Sequence, residues 1–499
     1  MKLSYISSKI ENISTETLVF FTSGYSKVLN KDLKNLDSAT NGAITKLLEA
    51  EQFSGKASEM AEFLSPAGLD FDRIILVGLG DKKSITADCF RNACGNLSKF
   101  KGLINSKKAV FYFDGFTDKH YFQASLEGYL LGGFKLLDYK TGDDAVSKVK
   151  LKEITFATSD SKIRRKMESA VEKGLIIAEG QCLVREFSET PGNYLTPTIF
   201  AQKAQKLSRK YGLSCSILDK KNIEKEKMGA LLGVSQGSAQ SPKFIIMKYN
   251  GGRKGQDPIV LVGKGVTFDS GGISLKPSLN MDEMKGDMTG AAVVISTIVT
   301  AARLKLPVNI VSLVPATENM PSGTATKPGD IHTSRKGLTI EIINTDAEGR
   351  LILADALDYA NEFNPQAVID IATLTGATLY SLGYEGAPIF SNNRKMIKML
   401  NDASTETSER VWEFPLWQEY GEAMKSDIAD LVNSGGRDAG TIKAAAFLQN
   451  FIGDYPWAHI DIAYVDVEKK GRPYIPKGTT GIGLRLLVEM LSNWKNPGK

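Results

Sequence analysis

The sequence is short of the residues that most often run chemistry. It holds only three histidines, His120, His332 and His459, so histidine cannot furnish a metal-ligand set. His459, inside "WAHIDIA", reads as a hydrogen-bonded core residue, and His120 and His332 stand in polar, loop-like surroundings. None of the three is assigned chemistry. The four cysteines, Cys89, Cys94, Cys182 and Cys215, form no CxxC pair, which excludes a zinc ribbon and a disulfide framework. Long apolar runs are missing too. The longest, Gly290 to Ala302, contains Ser and Thr and leads into "RLKLP", too short to cross a bilayer. The stretch "MKLSYISSKIENIS" lacks the apolar centre of a signal peptide. A reduced, cytoplasmic protein away from membranes is expected.

Charge of one sign is scarce as well. The net charge is +5, with Lys and Arg interleaved among Asp and Glu. The nearest approach to a basic stripe, "SKIRRKMESAVEKG" (Ser161 to Gly174), reads as the exposed face of a helix, so a DNA-binding role has weak support. No internal repeat or low-complexity segment is visible.

What is present is an ordinary globular composition, 42% hydrophobic and 24% charged, over 499 residues, a length that predicts more than one domain. Strand-like and helix-like segments alternate, the pattern of an α/β fold. In the first third, "RIILVGLGDKK" reads as a strand and turn before the helical "ITADCFRNACGNLSKF". Its Gly78 and Gly80 do not make a dinucleotide fingerprint, because Lys83 stands where the third glycine belongs. We expect a smaller N-terminal α/β domain over 1–161, a linker helix over 162–190 ended by the Pro/Gly break "SETPGNYLTPTIF", and a catalytic domain over 191–499. That larger domain should carry a central, mostly parallel sheet covered by helices on both faces. Its strands "KFIIMKY", "PIVLVGKG", "VNIVSLVPA", "TIEIINT", "AVIDIATL" and "AHIDIAYV" are mostly continuous apolar runs.

In such sheets ligands bind beyond the carboxyl ends of strands. The loop "GKGVTFDSGG" brings Lys264, Asp269 and, further on, Lys276; "MDEMKGDMTGAA" brings Asp287; "IINTDAEGRL" brings Asp346, Glu348 and Arg350. If the last segment is extended, its alternate side chains Asp346, Glu348 and Arg350 face one point. The plainer reading is a solvated turn with a local ion pair. Four carboxylates in one crevice demand neutralising cations or retained protons. Two divalent ions would balance them, and oxygen ligands suit Mg, Mn or Zn.

The tract "VGKGVTFDSGGISLKPSLNMDEMKGDMTGAA" followed by "NTDAEGRL" resembles the signature of the leucyl aminopeptidase (cytosol aminopeptidase) family, two-metal enzymes of the cytoplasm. The resemblance implies one ion held by Asp269, Asp346 and Glu348, with the main-chain carbonyl of Asp346 taking part. It implies a second ion held by Lys264, Asp269, Asp287 and Glu348. As a ligand Lys264 has to be neutral, which burial beside two dications favours. Lys276 would polarise the scissile carbonyl and Arg350 would hold a bicarbonate acting as general base. The metals are expected to be Mn2+ or Zn2+, with Mg2+ also compatible, and the nucleophile a metal-bridging water. Thr373 and Leu374, in "DIATLTGA", would lie by the substrate backbone. Met284 and the helix "GTIKAAAFLQNF" are candidates to line an apolar pocket for the first side chain. The implied activity is release of N-terminal residues, Leu and other apolar ones preferred, from peptides with a free amino terminus, by a homohexamer. An additional DNA-binding role, known among some bacterial relatives, is the alternative.

Overall fold

The computed structural model describes residues 1–23, 31–50, 53–64, 70–113, 115–142 and 149–498. The chain divides into two compact units, residues 1–179 with 470–477, and residues 180–469 with 478–499. The helix Ser161–Glu189 contains the division.

The smaller unit is built on a six-stranded sheet. Its strands pair parallel, except the edge strand Met60–Leu64, which runs antiparallel to Phe71–Gly78. One face of the sheet packs an aromatic core in which Phe21, Phe90, Phe111, Phe113, Phe122 and Phe156 are fully buried. The helix Ala87–Leu97 follows the strand Phe71–Gly78 after a short turn.

The larger unit carries a nine-stranded mixed sheet. The strands Ile259–Gly263, Ala367–Ala372, Trp457–Asp461 and Asn309–Asn319 pair parallel at its centre, while Lys243–Asn250 and Ser214–Leu218 add antiparallel strands at one side. Every residue of Ile259–Gly263 and Ala367–Ala372 is buried, as the continuous apolar runs predict. Each such Val, Leu or Ile contributes roughly 1.5–3 kcal/mol on leaving water, and the polar side chains buried among them are paired, as Asp370 is with His459 Nδ1 at 2.5 Å. Helix Thr289–Arg303 lies close on this sheet because its first turn is made of small residues. A Cβ on Gly290 would come within 2.1 Å of the Ile371 carbonyl oxygen. Helix Pro197–Tyr211 shows where sequence breaks become starts: Pro197 occupies its first turn, Thr196 caps it and Gly212 ends it at φ +69°.

Two sequence expectations are corrected here. "TIEIINT" is a strand only over Thr339–Glu341, and it belongs to a separate three-stranded sheet with Ile331–Thr333 and Leu431–Val432. His332 lies in that strand Ile331–Thr333 and His120 in the first turn of helix Lys119–Gly132, not in loops.

Candidate metal centre

Three stretches of chain deliver the acidic groups. Lys264 follows the central strand Ile259–Gly263, and Asp269 ends the next strand, Gly265–Asp269, which pairs with Asn309–Asn319. Asp287 closes the 3-10 turn Met281–Gly286, just before the helix Thr289–Arg303. Asp346 lies in a turn, Glu348 is the N-cap of helix Gly349–Tyr359, and Arg350 is in that helix's first turn. The extended reading of Asp346 to Arg350 is therefore wrong. The backbone has already entered the helical region at Glu348 (φ −78°, ψ −32°), so the alternation of a strand does not apply.

The carboxylates nevertheless converge. Asp269, Asp346 and Glu348 each offer an oxygen, and these atoms lie within 4.8 Å of one another. Lys276 Nζ lies 2.7 Å from Asp269 Oδ2 and 2.5 Å from Asp346 Oδ1. Lys264 Nζ donates to Asp287 Oδ1 at 2.7 Å and to the Thr373 carbonyl at 2.9 Å, and lies 2.9 Å from Glu348 Oε1. Asp287 Oδ2 is as near Lys264 as Oδ1 is, 2.7 Å, but out of line for a hydrogen bond. Glu348 Oε2 is buried with no hydrogen-bond partner. The local ion pair of the plainer reading is not formed, since Asp346 pairs with Lys276 and Glu348 with Lys264.

If all four carboxylates were ionised, the two ammonium groups paired with them would leave an excess of negative charge, which the Arg350 guanidinium acting on Glu348 offsets only in part. The protonation of the carboxylates reflects it. Burial and the Glu348 charge raise Asp269 from its ordinary value, although Lys276 and Lys264 oppose this. Burial raises Asp287 well above the ordinary Asp value, and lifts Asp346 to about 6. Glu348 is buried too, yet Lys264 and Lys276 outweigh that and hold it low. Burial disfavours charge on Lys264, but Asp287, Glu348 and Asp269 more than reverse it, so in the protein alone Lys264 is an ammonium. It becomes a ligand only where a dication replaces its proton.

Arg350 is buried, its Nε without a hydrogen-bond partner, and burial brings its guanidinium down to about 10. Thr373 reaches the cluster through its carbonyl and through Oγ1, which donates to Asp287 Oδ1 at 2.8 Å. Leu374 packs on the hydrophobic core, and its N–H donates to Asp461 Oδ1 at 3.0 Å. Met284 stands half-buried one turn before Asp287, whose N–H donates to the Met284 carbonyl at 3.3 Å.

Two supporting residues escape sequence reasoning. Asn319 Nδ2 donates to Asp269 Oδ1 at 2.8 Å and to the Thr345 carbonyl at 3.0 Å, so it fixes one loop against the other. Asn433, fully buried, accepts from Ile343 N and Asn344 N and donates to the Asn344 carbonyl. A strand would have held that backbone by ladder bonds, and a side-chain amide does so here. Neither asparagine lies in the acidic loops, so no local pattern marks them.

Comparison with known proteins settles the lineage. The model of the cytosol aminopeptidase family, catalytic domain, matches residues 182–488, and that of the same family's N-terminal domain matches residues 18–143. The chain belongs to the cytosol aminopeptidase family. A probable cytosol aminopeptidase of Syntrophotalea carbinolica is 44% identical over 92% of this chain and 93% of its own. One from Chloroherpeton thalassium is 40% identical over 99% and 100%. Among solved structures, a mutant of tomato leucine aminopeptidase is similar with a TM-score of 0.87 and 29% identity, covering 99% of this chain and 97% of that one. The bottromycin maturation enzyme BotP in complex with Mn gives 0.84 and 31%, covering 96% and 99%. As a cytosol aminopeptidase, the chain is a metal-dependent exopeptidase that releases N-terminal residues from peptides, and its cofactor is a divalent metal. Among the described residues no helix is long and apolar enough to cross a membrane.

Proposed function

We propose that the cluster holds two divalent ions, Mn2+ or Zn2+ with Mg2+ also compatible, through Lys264, Asp269, Asp287, Asp346 and Glu348. The observation that carries the reading is the convergence of four carboxylates on only two ammonium groups, with Asp269, Asp287 and Glu348 buried and Glu348 Oε2 left unpartnered. Four carboxylates with one amine suit hard and borderline ions. Mn in the similar BotP structure agrees. When bound, such ions neutralise the carboxylates, polarise a carbonyl and lower the pKa of water.

The chain's own groups then divide the remaining work. To Lys276, a charged ammonium with a side chain 22% exposed, we assign the holding of the oxyanion that develops on the scissile carbonyl. Arg350, a buried cation with an unpartnered Nε, suits a small anion, and we assign it bicarbonate as general base. The peptide backbone runs beside Thr373 and Leu374, with Met284 by the first side chain. Anchoring of a neutral α-amine fixes the reacting bond one residue from the terminus.

Leucine-p-nitroanilide and its N-acetyl counterpart test this reading. Acetylation makes the amine a poorly coordinating amide, so cleavage should slow by about 10²-fold or more. Comparable rates would contradict it. From the family we also infer a cytoplasmic homohexamer of two trimers; light scattering that gives a monomer of 54.3 kDa would refute the assembly. The DNA-binding alternative rests on the mild basic excess alone.

A further inference from the structure

Tyr464 holds a backbone conformation that its side chain disfavours. Its φ is +68°, in the left-handed region where an L-residue's Cβ crowds its own carbonyl, an uncommon state for a bulky residue. Strain of this kind persists where the surroundings over-determine it, and it gathers at ligand-binding positions.

The surroundings that impose it can be named. Asp461, fully buried at the end of strand Trp457–Asp461, accepts from Ala463 N at 3.2 Å. The same carboxylate accepts from Leu374 N at 3.0 Å, Thr375 N at 3.4 Å and Thr375 Oγ1 at 2.7 Å. One side chain therefore ties the turn that carries Tyr464 to the loop whose Thr373 touches Lys264 and Asp287. The turn is fixed on the residue before Tyr464, and the ring is delivered beside that loop. The Tyr464 hydroxyl lies 3.8 Å from where a Cβ on the exposed Gly376 would stand. The ring is half-buried and meets Tyr384 edge to face, centroids 5.9 Å apart at 84°. A half-covered ring backed by a second ring leaves aromatic surface for a third group to cover, and ring pairs favour this tilted packing.

We propose that Tyr464, backed by Tyr384, is an aromatic wall of the substrate cleft that receives the apolar or aromatic side chain of a residue flanking the scissile bond. The proposal rests on the aminopeptidase reading of the neighbouring cluster and adds a specificity-determining residue to it.

The test compares wild type with Tyr464→Gly, which removes ring and strain together, and Tyr464→Phe, which keeps the ring. Phe-, Leu- and Ala-p-nitroanilide vary the residue before the scissile bond; Leu-Phe and Leu-Gly vary the one after it. In Tyr464→Gly the kcat/KM ratio of large to small side chain should fall about tenfold at one of the two positions, mainly through KM. Its Tm should be unchanged or higher, because the left-handed turn suits glycine. Tyr464→Phe should keep the ratio. Ratios unchanged at both positions in Tyr464→Gly would overturn the proposal, as would a uniform loss on all substrates with a lowered Tm, the mark of a structural role. A wild type inert on every substrate would overturn the aminopeptidase reading and this proposal with it, whereas an active wild type with an indifferent Tyr464→Gly would remove this proposal alone.

Discussion

The side chain of Lys264 passes so close to Gly349 that a Cβ there would lie 2.5 Å from Lys264 Cε and 2.9 Å from its Nζ. A free lysine would swing aside, but this one is held by Asp287, Glu348 and the Thr373 carbonyl. The glycine of "DAEGR" is thus required by a close approach to a proposed ligand. Gly349→Ala should displace Lys264, cost about 1–3 kcal/mol in stability as overpacking does, and weaken metal binding. A Tm and a metal titration both equal to wild type would refute the contact's importance.

Bridging ligands should matter more than terminal ones. Asp269 and Glu348 are proposed to serve both ions and Asp287 only one, so Asp269→Ala or Glu348→Ala should lose more bound metal and more activity than Asp287→Ala. Metal analysis of the three purified variants checks it. Equal metal content in all three would count against the bridging assignment.

A pH effect is expected away from the site. Asp355, fully buried in the helix that begins at Gly349, accepts from Leu231 N at 2.9 Å and Arg335 N at 2.7 Å. Burial lifts its carboxyl from 3.8 to about 7. The folded chain then binds a proton that the unfolded chain has released, so Asp355's contribution is present at low pH and is lost as pH rises through about 7. Between pH 5 and 8 wild type should lose roughly 2–3 kcal/mol that Asp355→Asn does not lose. Denaturant unfolding of both proteins across that range measures the difference, and parallel pH curves would show that Asp355 ionises normally.

Much of this was legible from composition and spacing. The central strands are buried on both faces, so their runs are mostly apolar and read as buried strands, and the acidic loops beyond them read as a site. The conformation of Asp346 to Arg350 was not legible, because Asn433, some 90 residues away, supplies the hydrogen bonds that keep Ile343 and Asn344 out of a ladder. Asn319 was hidden for a related reason: it closes an apolar strand, and its role exists only once Asp269 and Thr345 are brought to it. The strain at Tyr464 is invisible in sequence, since nothing in "IAYVD" signals a positive φ.

The central claim, two divalent ions held by the lysine–carboxylate cluster and required for N-terminal hydrolysis, is tested most directly by one titration. Chelated protein is reloaded with Mn2+ or Zn2+ while bound metal per chain and leucine-p-nitroanilide hydrolysis are followed together. The account expects no activity in the metal-free protein, and activity that rises to its plateau at two ions per chain. Full activity without metal, or full activity reached with bound metal at a plateau of one ion per chain or fewer, would contradict it.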